Sequence, residues 1–265
     1  MTTQLEKAQA FRALHEESVF LIPNPWDAGS AKVLESLGFK ALATTSSGFA
    51  FTLGRRDGGA NLHDVVEHVR RLTAATNLPV SVDLENGYGP RPEQAALAIA
   101  RVAEAGAVGG SIEDYDRDDG GIYPIGVAAE RIAAAAQAAR RLDFPFTLTG
   151  RAENFLHGNP DLDDTIARLH AYQEAGADVL YAPGLGTLDQ IRAVCTALDR
   201  PVNVLAVPDL TVGVIAAAGA RRISVGGGLT WVAVNAMVTA ARHISDTGDL
   251  SVLKVPVRVA DLLDS

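Results

Sequence analysis

The stretch SVDLENGYG, residues 81–89, sets two carboxylates, Asp83 and Glu85, on alternate positions at the end of an apolar run. Residues at i and i+2 of a strand face the same side, so the spacing aims both acids at one point. Two converging carboxylates repel unless a cation or a shared proton lies between them. The alternative is one acid facing inward and the other capping the next helix. SIEDYD (111–116) adds Glu113 and Asp114 at the end of another apolar run, and TLGRRDGG (52–59) carries Asp57 among arginines and glycines. Asp57, Asp83, Glu85 and Glu113 together make an all-oxygen donor set, which Mg²⁺ prefers while keeping several waters. Mn²⁺ accepts the same donors. TGRAENF (149–155) brings Arg151 and Glu153 to a further strand end. Arg151 there is either a two-pronged clamp for a carboxylate or phosphonate, or a brace paired with Glu153 or Glu113.

Other polar strand ends carry weaker signals. In NPWDAGS (24–30), Asp27 is placed to cap a helix. In TTSSGF (44–49), Ser47, Gly48 and Phe49 read equally well as an ordinary tight turn and as backbone N–H groups presented to an anion. SVGGGL (224–229) is glycine-rich without a phosphate-specific signature. Cys195 lies mid-helix on an apolar face and reads as a small core residue. His63, His68, His170 and His243 fall in helices as surface or packing residues, whereas His157, nearer a loop, is an acid/base candidate. HExxH, CxxC, P-loop and GxSxG motifs are absent.

These residues need a frame that gathers strand ends. Short Val/Ile/Leu/Thr-rich runs recur at 19–24, 40–48, 79–86, 107–114, 146–154, 177–184, 201–207 and 221–227. Helical spacing follows each, over about 27–37, 61–76, 92–105, 127–142, 161–175, 187–198, 209–218 and 229–244. Residues 1–17 read as a further, polar helix. Eight strand–helix units in a chain of 265 residues predict a TIM (β/α)8 barrel, whose active site gathers at the C-terminal strand ends. A doubly wound open sheet is the runner-up. No composition break marks a boundary, so a single domain over 1–265 is expected. Residues 246–265 form an additional C-terminal segment whose apolar content suits packing on a neighbouring subunit.

Composition narrows the function classes. The net charge is −9, which argues against nucleic-acid or anionic-membrane surfaces. One cysteine precludes an intrachain disulfide. No signal-peptide pattern opens the chain and no apolar run reaches transmembrane length, so a cytoplasmic location is expected.

The chain resembles the isocitrate lyase/phosphoenolpyruvate mutase superfamily through SSGF (46–49), RRDG (55–58), DLENGYG (83–89), GSIED (110–114) and GRAENF (150–155), in the family's order. The resemblance implies a barrel with Mg²⁺ at its mouth. Asp83 would be the direct metal ligand, with Glu85, Asp57 and Glu113 holding the ion mostly through water. Ser47, Gly48 and Phe49 would grip the substrate carboxylate and Arg151 its other anionic end. The implied chemistry is cleavage or formation of a C–C or C–P bond beside a 2-oxo acid, through a metal-stabilised enolate, in a dimer or tetramer. The loop YDRDDGGIYPIG (115–126) departs from the family. It lacks the cysteine of the lyases' KKCGH-type loop and the lysine and asparagine of the mutases, and offers Tyr115, Arg117, Asp118, Asp119 and Tyr123 instead.

The expectation is therefore a Mg²⁺-dependent C–C lyase for a small 2-oxo or 2-hydroxy carboxylate, with Asp57, Glu113 and Arg151 in catalysis. The alternatives are oxaloacetate decarboxylation or hydrolysis, phosphonopyruvate-type chemistry, and 2-oxo acid binding without turnover.

Overall fold

A computed structural model describes residues 2–263. Among the described residues, eight parallel strands form one sheet: β1 (Phe20–Ile22), β2 (Leu42–Ala43), β3 (Val80–Asp83), β4 (Gly109–Glu113), β7 (Thr147–Arg151), β8 (Val179–Tyr181), β9 (Val202–Leu205) and β10 (Arg222–Ser224). Their spatial order is β1-β10-β9-β8-β7-β4-β3-β2. The Ala43 N–H donates to the Pro23 carbonyl at 3.1 Å, so the two outer strands also meet and the sheet curls into a TIM-type barrel. Two short strands, β5 (Tyr115–Asp116) and β6 (Gly121–Ile122), form a separate antiparallel hairpin. It occupies the segment expected to be a loop.

The helices lie where the apolar spacing placed them. They are α2 (Ala28–Ser36), α4 (Leu62–Ala75), α5 (Pro92–Glu104), α6 (Ile125–Arg140), α7 (Leu162–Glu174), α8 (Leu188–Ala197), α9 (Val212–Ala217) and α10 (Gly228–Thr247). Local chemistry sets their ends. Asp27 caps α2, accepting the Ser30 N–H at 2.7 Å, as its position predicts. Gly106 follows α5 at φ +99°, a backbone that a side chain would strain. The expected span 209–218 shrinks to α9, because Thr211 caps the helix later in the chain. Unpredicted is α3 (Ser46–Thr52), which replaces the turn read from TTSSGF. Thr45 starts it by accepting the Gly48 N–H.

The first helix, α1 (Gln4–Glu16), buries Ala8, Phe11 and His15 against the N-terminal ends of the strands. Phe11, His15 and Phe20 meet edge to face, with ring centroids 4.8–6.4 Å apart. Burial holds the His15 imidazole down to about 3, and the positive Arg222 beside it acts the same way. Burial likewise holds His68 down to about 4. An unfolded imidazole titrates near 6.5. A base depressed in the folded state gives stability that is present above that value and lost as pH falls below it. The two histidines are therefore expected to lower stability by about 2 kcal/mol each between pH 6.5 and 5. Urea unfolding at the two pH values checks this, and an unchanged midpoint contradicts it.

After α10 the chain makes a 3₁₀ turn (Ser251–Leu253), followed by α11 (Val259–Leu263), which packs against α2. Lys32 Nζ donates to the Leu263 carbonyl at 3.0 Å. Among the described residues, no helix is long and apolar enough to cross a membrane.

Candidate active site

Strand β3 stops at Asp83, and the carboxylate there is held by the backbone. Oδ2 accepts the Ser46 N–H at 3.3 Å and Oδ1 accepts the Glu85 N–H at 3.2 Å. The following chain turns left-handed, at φ +49° for Glu85 and +62° for Tyr88. Non-glycine residues hold such angles where their surroundings force them. Arg131, fully buried on α6, supplies that force from behind by donating to the carbonyls of Asn86, Gly89 and Pro90. Its guanidinium also lies 4.6 Å over the Tyr123 ring. Asp83 and Glu85 thus belong to one acidic group, but not through strand alternation, because the strand has already ended. The tight turn swings Glu85 back.

Two guanidiniums bridge the acids. Arg117, from the β5–β6 hairpin, places Nε 2.8 Å from Glu85 and Nη2 3.7 Å from Glu113 and 3.8 Å from Asp57. Gly58 makes room for it, since a Cβ there would lie 2.5 Å from Arg117 Nη1. Arg151, at the end of β7, places Nη1 3.5 Å from Asp83 and 3.4 Å from Glu113, and its Nε donates to Glu153. Burial pushes the Glu85 carboxyl up to about 7 against the pull of Arg117. Burial also raises Glu113, which Arg151 opposes. Burial works against the Arg151 charge, yet Glu153, Glu113 and Asp83 outweigh it and raise its pKa.

A cavity of about 180 Å³ opens beside this group, lined by Ser46, Ser47, Asp57, Asp83, Arg151 and Tyr181 among others. Of the residues expected to grip a carboxylate, Ser47 lies in the wall, whereas Gly48 and Phe49 do not. Helix α3 explains this. The Gly48 N–H donates to Thr45 Oγ1, the Phe49 N–H donates to the Thr45 carbonyl, and the Phe49 ring stacks on His68 at 4.0 Å. Glu85 and Glu113 sit behind the wall, 4% and 3% exposed. Asp114 serves as a brace, bound by Tyr172, Arg168 and the Glu153 N–H. Glu153 also approaches His157 at 3.4 Å, and Tyr115 of the hairpin stacks on that imidazole at 3.5 Å. A larger cavity, about 470 Å³, opens at the opposite end of the barrel around Arg12, Arg140 and Asp178. It is lined by the N-terminal ends of strands, where barrels do not place their chemistry.

The donors suit a hard divalent cation. Among the described residues, five carboxylates (Asp57, Asp83, Glu85, Glu113 and Glu153) face two guanidiniums. Glu113 Oε1 is buried with no hydrogen-bond partner. Among the described residues, no three acidic, histidine or cysteine side chains form a ready metal cage. An ion here would keep water in its shell, as Mg²⁺ does.

Arg117 puts a positive charge against three of the acids that would surround such an ion. Arg117→Gln is therefore expected to tighten Mn²⁺ binding about tenfold by removing like-charge repulsion. Mn²⁺ titration followed by electron paramagnetic resonance reads this directly, and weaker binding would contradict it.

Comparison with known proteins agrees with this architecture. The phosphoenolpyruvate phosphomutase family model matches residues 11–245. The chain is 30% identical over 209 residues to 2-methylisocitrate lyase of Halalkalibacterium halodurans, covering 76% of this chain and 67% of that one. It superposes on a protein from Burkholderia cenocepacia J2315 described as a lyase/mutase with a TM-score of 0.94 and 51% identity, over 98% and 95% of the two chains. Oxaloacetate acetylhydrolase in complex with oxalate gives a TM-score of 0.89 at 25% identity, over 99% and 95%. With acids and arginine set on the same barrel, the chain belongs to the phosphoenolpyruvate phosphomutase family of the PEP mutase/isocitrate lyase superfamily.

Proposed function

We propose that this chain is a Mg²⁺-dependent lyase that cleaves or forms a carbon–carbon bond in a small 2-oxo or 2-hydroxy carboxylate. The observation that carries the reading is Asp83, oriented by two backbone N–H groups, in one cavity wall with Arg151 and Ser47. Asp83 would hold the ion directly, with Glu85, Glu113 and Asp57 acting on its water shell. When bound, Mg²⁺ supplies a Lewis acid for the oxygen that gains charge as the bond breaks.

The protein's own groups do the rest. Ser47, at the start of α3, offers its hydroxyl to the carboxylate beside the bond that breaks. Arg151 holds the distal anion, and its contacts with Glu113 and Glu153 fix the guanidinium in place. The hairpin covers this side of the site, with Arg117 on the acids and Tyr115 on His157.

A second reading, oxaloacetate decarboxylation or hydrolysis, is favoured by the hairpin itself. Its segment contains no cysteine, lysine or histidine, and burial pushes the Tyr123 hydroxyl up to about 12, a poor proton donor at neutral pH. Reactions that draw their proton from water demand less of this loop. NMR of the protein with oxaloacetate, methylisocitrate and phosphonopyruvate, with Mg²⁺ and with chelator, separates the possibilities. Chelator-sensitive C–C cleavage of methylisocitrate supports the lyase. Oxalate plus acetate, or pyruvate plus CO₂, supports the second reading. Inorganic phosphate would move the assignment to C–P chemistry, and binding without product would overturn turnover itself.

The same reading includes a homo-oligomer. Trp231, Val232 and Met237 on α10, with Leu250, Leu253 and Val255 beyond it, are 46–71% exposed. So many large apolar side chains left exposed on one helix and the segment after it suit an interaction site. Truncation after Gly248 is expected to turn a dimer or tetramer into monomer in sedimentation analysis, and an unchanged mass contradicts the proposal.

A further inference from the structure

The barrel interior holds a charge that the chemistry at the mouth does not use. Arg222 points inward from β10 and is 5% exposed. Its Nε donates to Asn203 Oδ1 at 2.9 Å and its Nη2 to Thr149 Oγ1 at 3.0 Å. Its Nη1 lies 3.2 Å from His15 Nε2. His15 Nδ1 is 2.8 Å from the Phe11 carbonyl and must donate to it, so Nε2 accepts from the arginine. All three partners are neutral. Among the described residues, no carboxylate lies within ion-pair distance of this guanidinium, in contrast to Arg117, Arg151 and Arg168.

Buried charges are almost always paired, because desolvation of a lone ion is costly. A guanidinium also carries five N–H donors, and three acceptors leave two of them over. The surroundings match that surplus. Barrel interiors are usually filled by Val, Ile and Leu. Here the wall below Asp83 presents Ser81, Ser111, Asn203 and Ser224, and these line the same 180 Å³ cavity as Arg222 and the acids at its mouth. Phe11 and His15 close the axis beneath it. The volume equals about six waters, room for a small ion under a small carboxylate.

We propose that the barrel axis contains an anion-binding position on Arg222, beneath the acidic mouth, sized for a halide ion or one carboxylate group. This position stands independently of the reaction assigned to the mouth.

The test uses the wild-type protein. Crystals grown in sodium bromide, with and without oxalate, are examined for anomalous scattering. Bromide within hydrogen-bonding distance of the Arg222 Nη atoms, retained when oxalate is added, supports a site for free inorganic anions. Bromide displaced by oxalate also supports the site and assigns its occupant as a substrate carboxylate. In solution, chloride at ten times its Kd is expected to raise Tm by about 3 °C over gluconate at equal ionic strength. Arg222→Met should abolish that shift. If this variant does not fold, the wild-type bromide measurement decides alone. Only water beside Arg222, with equal Tm in chloride and gluconate, would overturn the proposal.

Discussion

Asp83→Asn is expected to lower turnover by about 10³-fold or more and to raise the divalent-ion Kd by at least about a hundredfold. The substitution keeps the side-chain shape, and its Oδ1 can still accept the Glu85 N–H; the one bond given up is the long 3.3 Å one from the Ser46 N–H, which an amide nitrogen cannot accept. Fold and stability should therefore stay close to wild type, and the loss should lie in charge. The neighbouring acids are less well placed to take over. Asp57 is about half exposed on its loop, and Glu85 and Glu113 sit behind the wall against Arg117. Among the described residues of this acidic group, Asp83 alone combines a place in the cavity wall with two backbone N–H bonds to its carboxylate; Asp57, also in the wall, accepts one, from its neighbour Gly58. Activity and Mn²⁺ affinity measured on the same preparation settle the matter. A variant within tenfold of wild type in both would remove the metal reading of this site.

The frame around that residue was legible because a barrel repeats one signal eight times. Apolar runs such as PVSVD and FTLTGR alternate with helices whose ends carry Asp27, Thr187 or Thr211 caps. The grouping of Asp57, Asp83, Glu85, Glu113 and Arg151 could also be read, since four of them fall at or just beyond strand ends and Asp57 lies in the charged loop TLGRRDGG that follows α3. What could not be read is how opposite charges share them. Arg117 stands in the sequence as one polar residue among several in a loop. It reaches Glu85 and Glu113 only because the segment folds into a hairpin, with Asp116 accepting the Asp118 and Asp119 N–H groups at its turn. Helix α3 was hidden because SSGFAFT is too short to show helical periodicity, and its cap, Thr45, looks like any turn residue. Arg222 was hidden for another reason. A period-two pattern tells which residues share a face, yet RRIS offers two adjacent arginines, and only the closed barrel decides that Arg222 goes inside.

Arg151 carries the other large effect, and two substitutions separate its roles. Arg151→Met removes the cation that faces Asp83, Glu113 and Glu153, two of which are nearly inaccessible to solvent. Breaking a buried ion network from one side leaves its other charges uncompensated, at a cost of about 3–5 kcal/mol. The methionine variant should unfold at markedly lower denaturant and lose at least about 10³ in kcat/KM. Arg151→Lys keeps the charge but cannot reproduce a planar fork that serves Glu153 through Nε and the other two acids through Nη1. It should recover most of the stability and still lose about 10² in kcat/KM. That split is what a substrate clamp requires. If the lysine variant recovers activity in step with stability, Arg151 is only a brace for the acids, and the distal anion of the substrate must be held elsewhere.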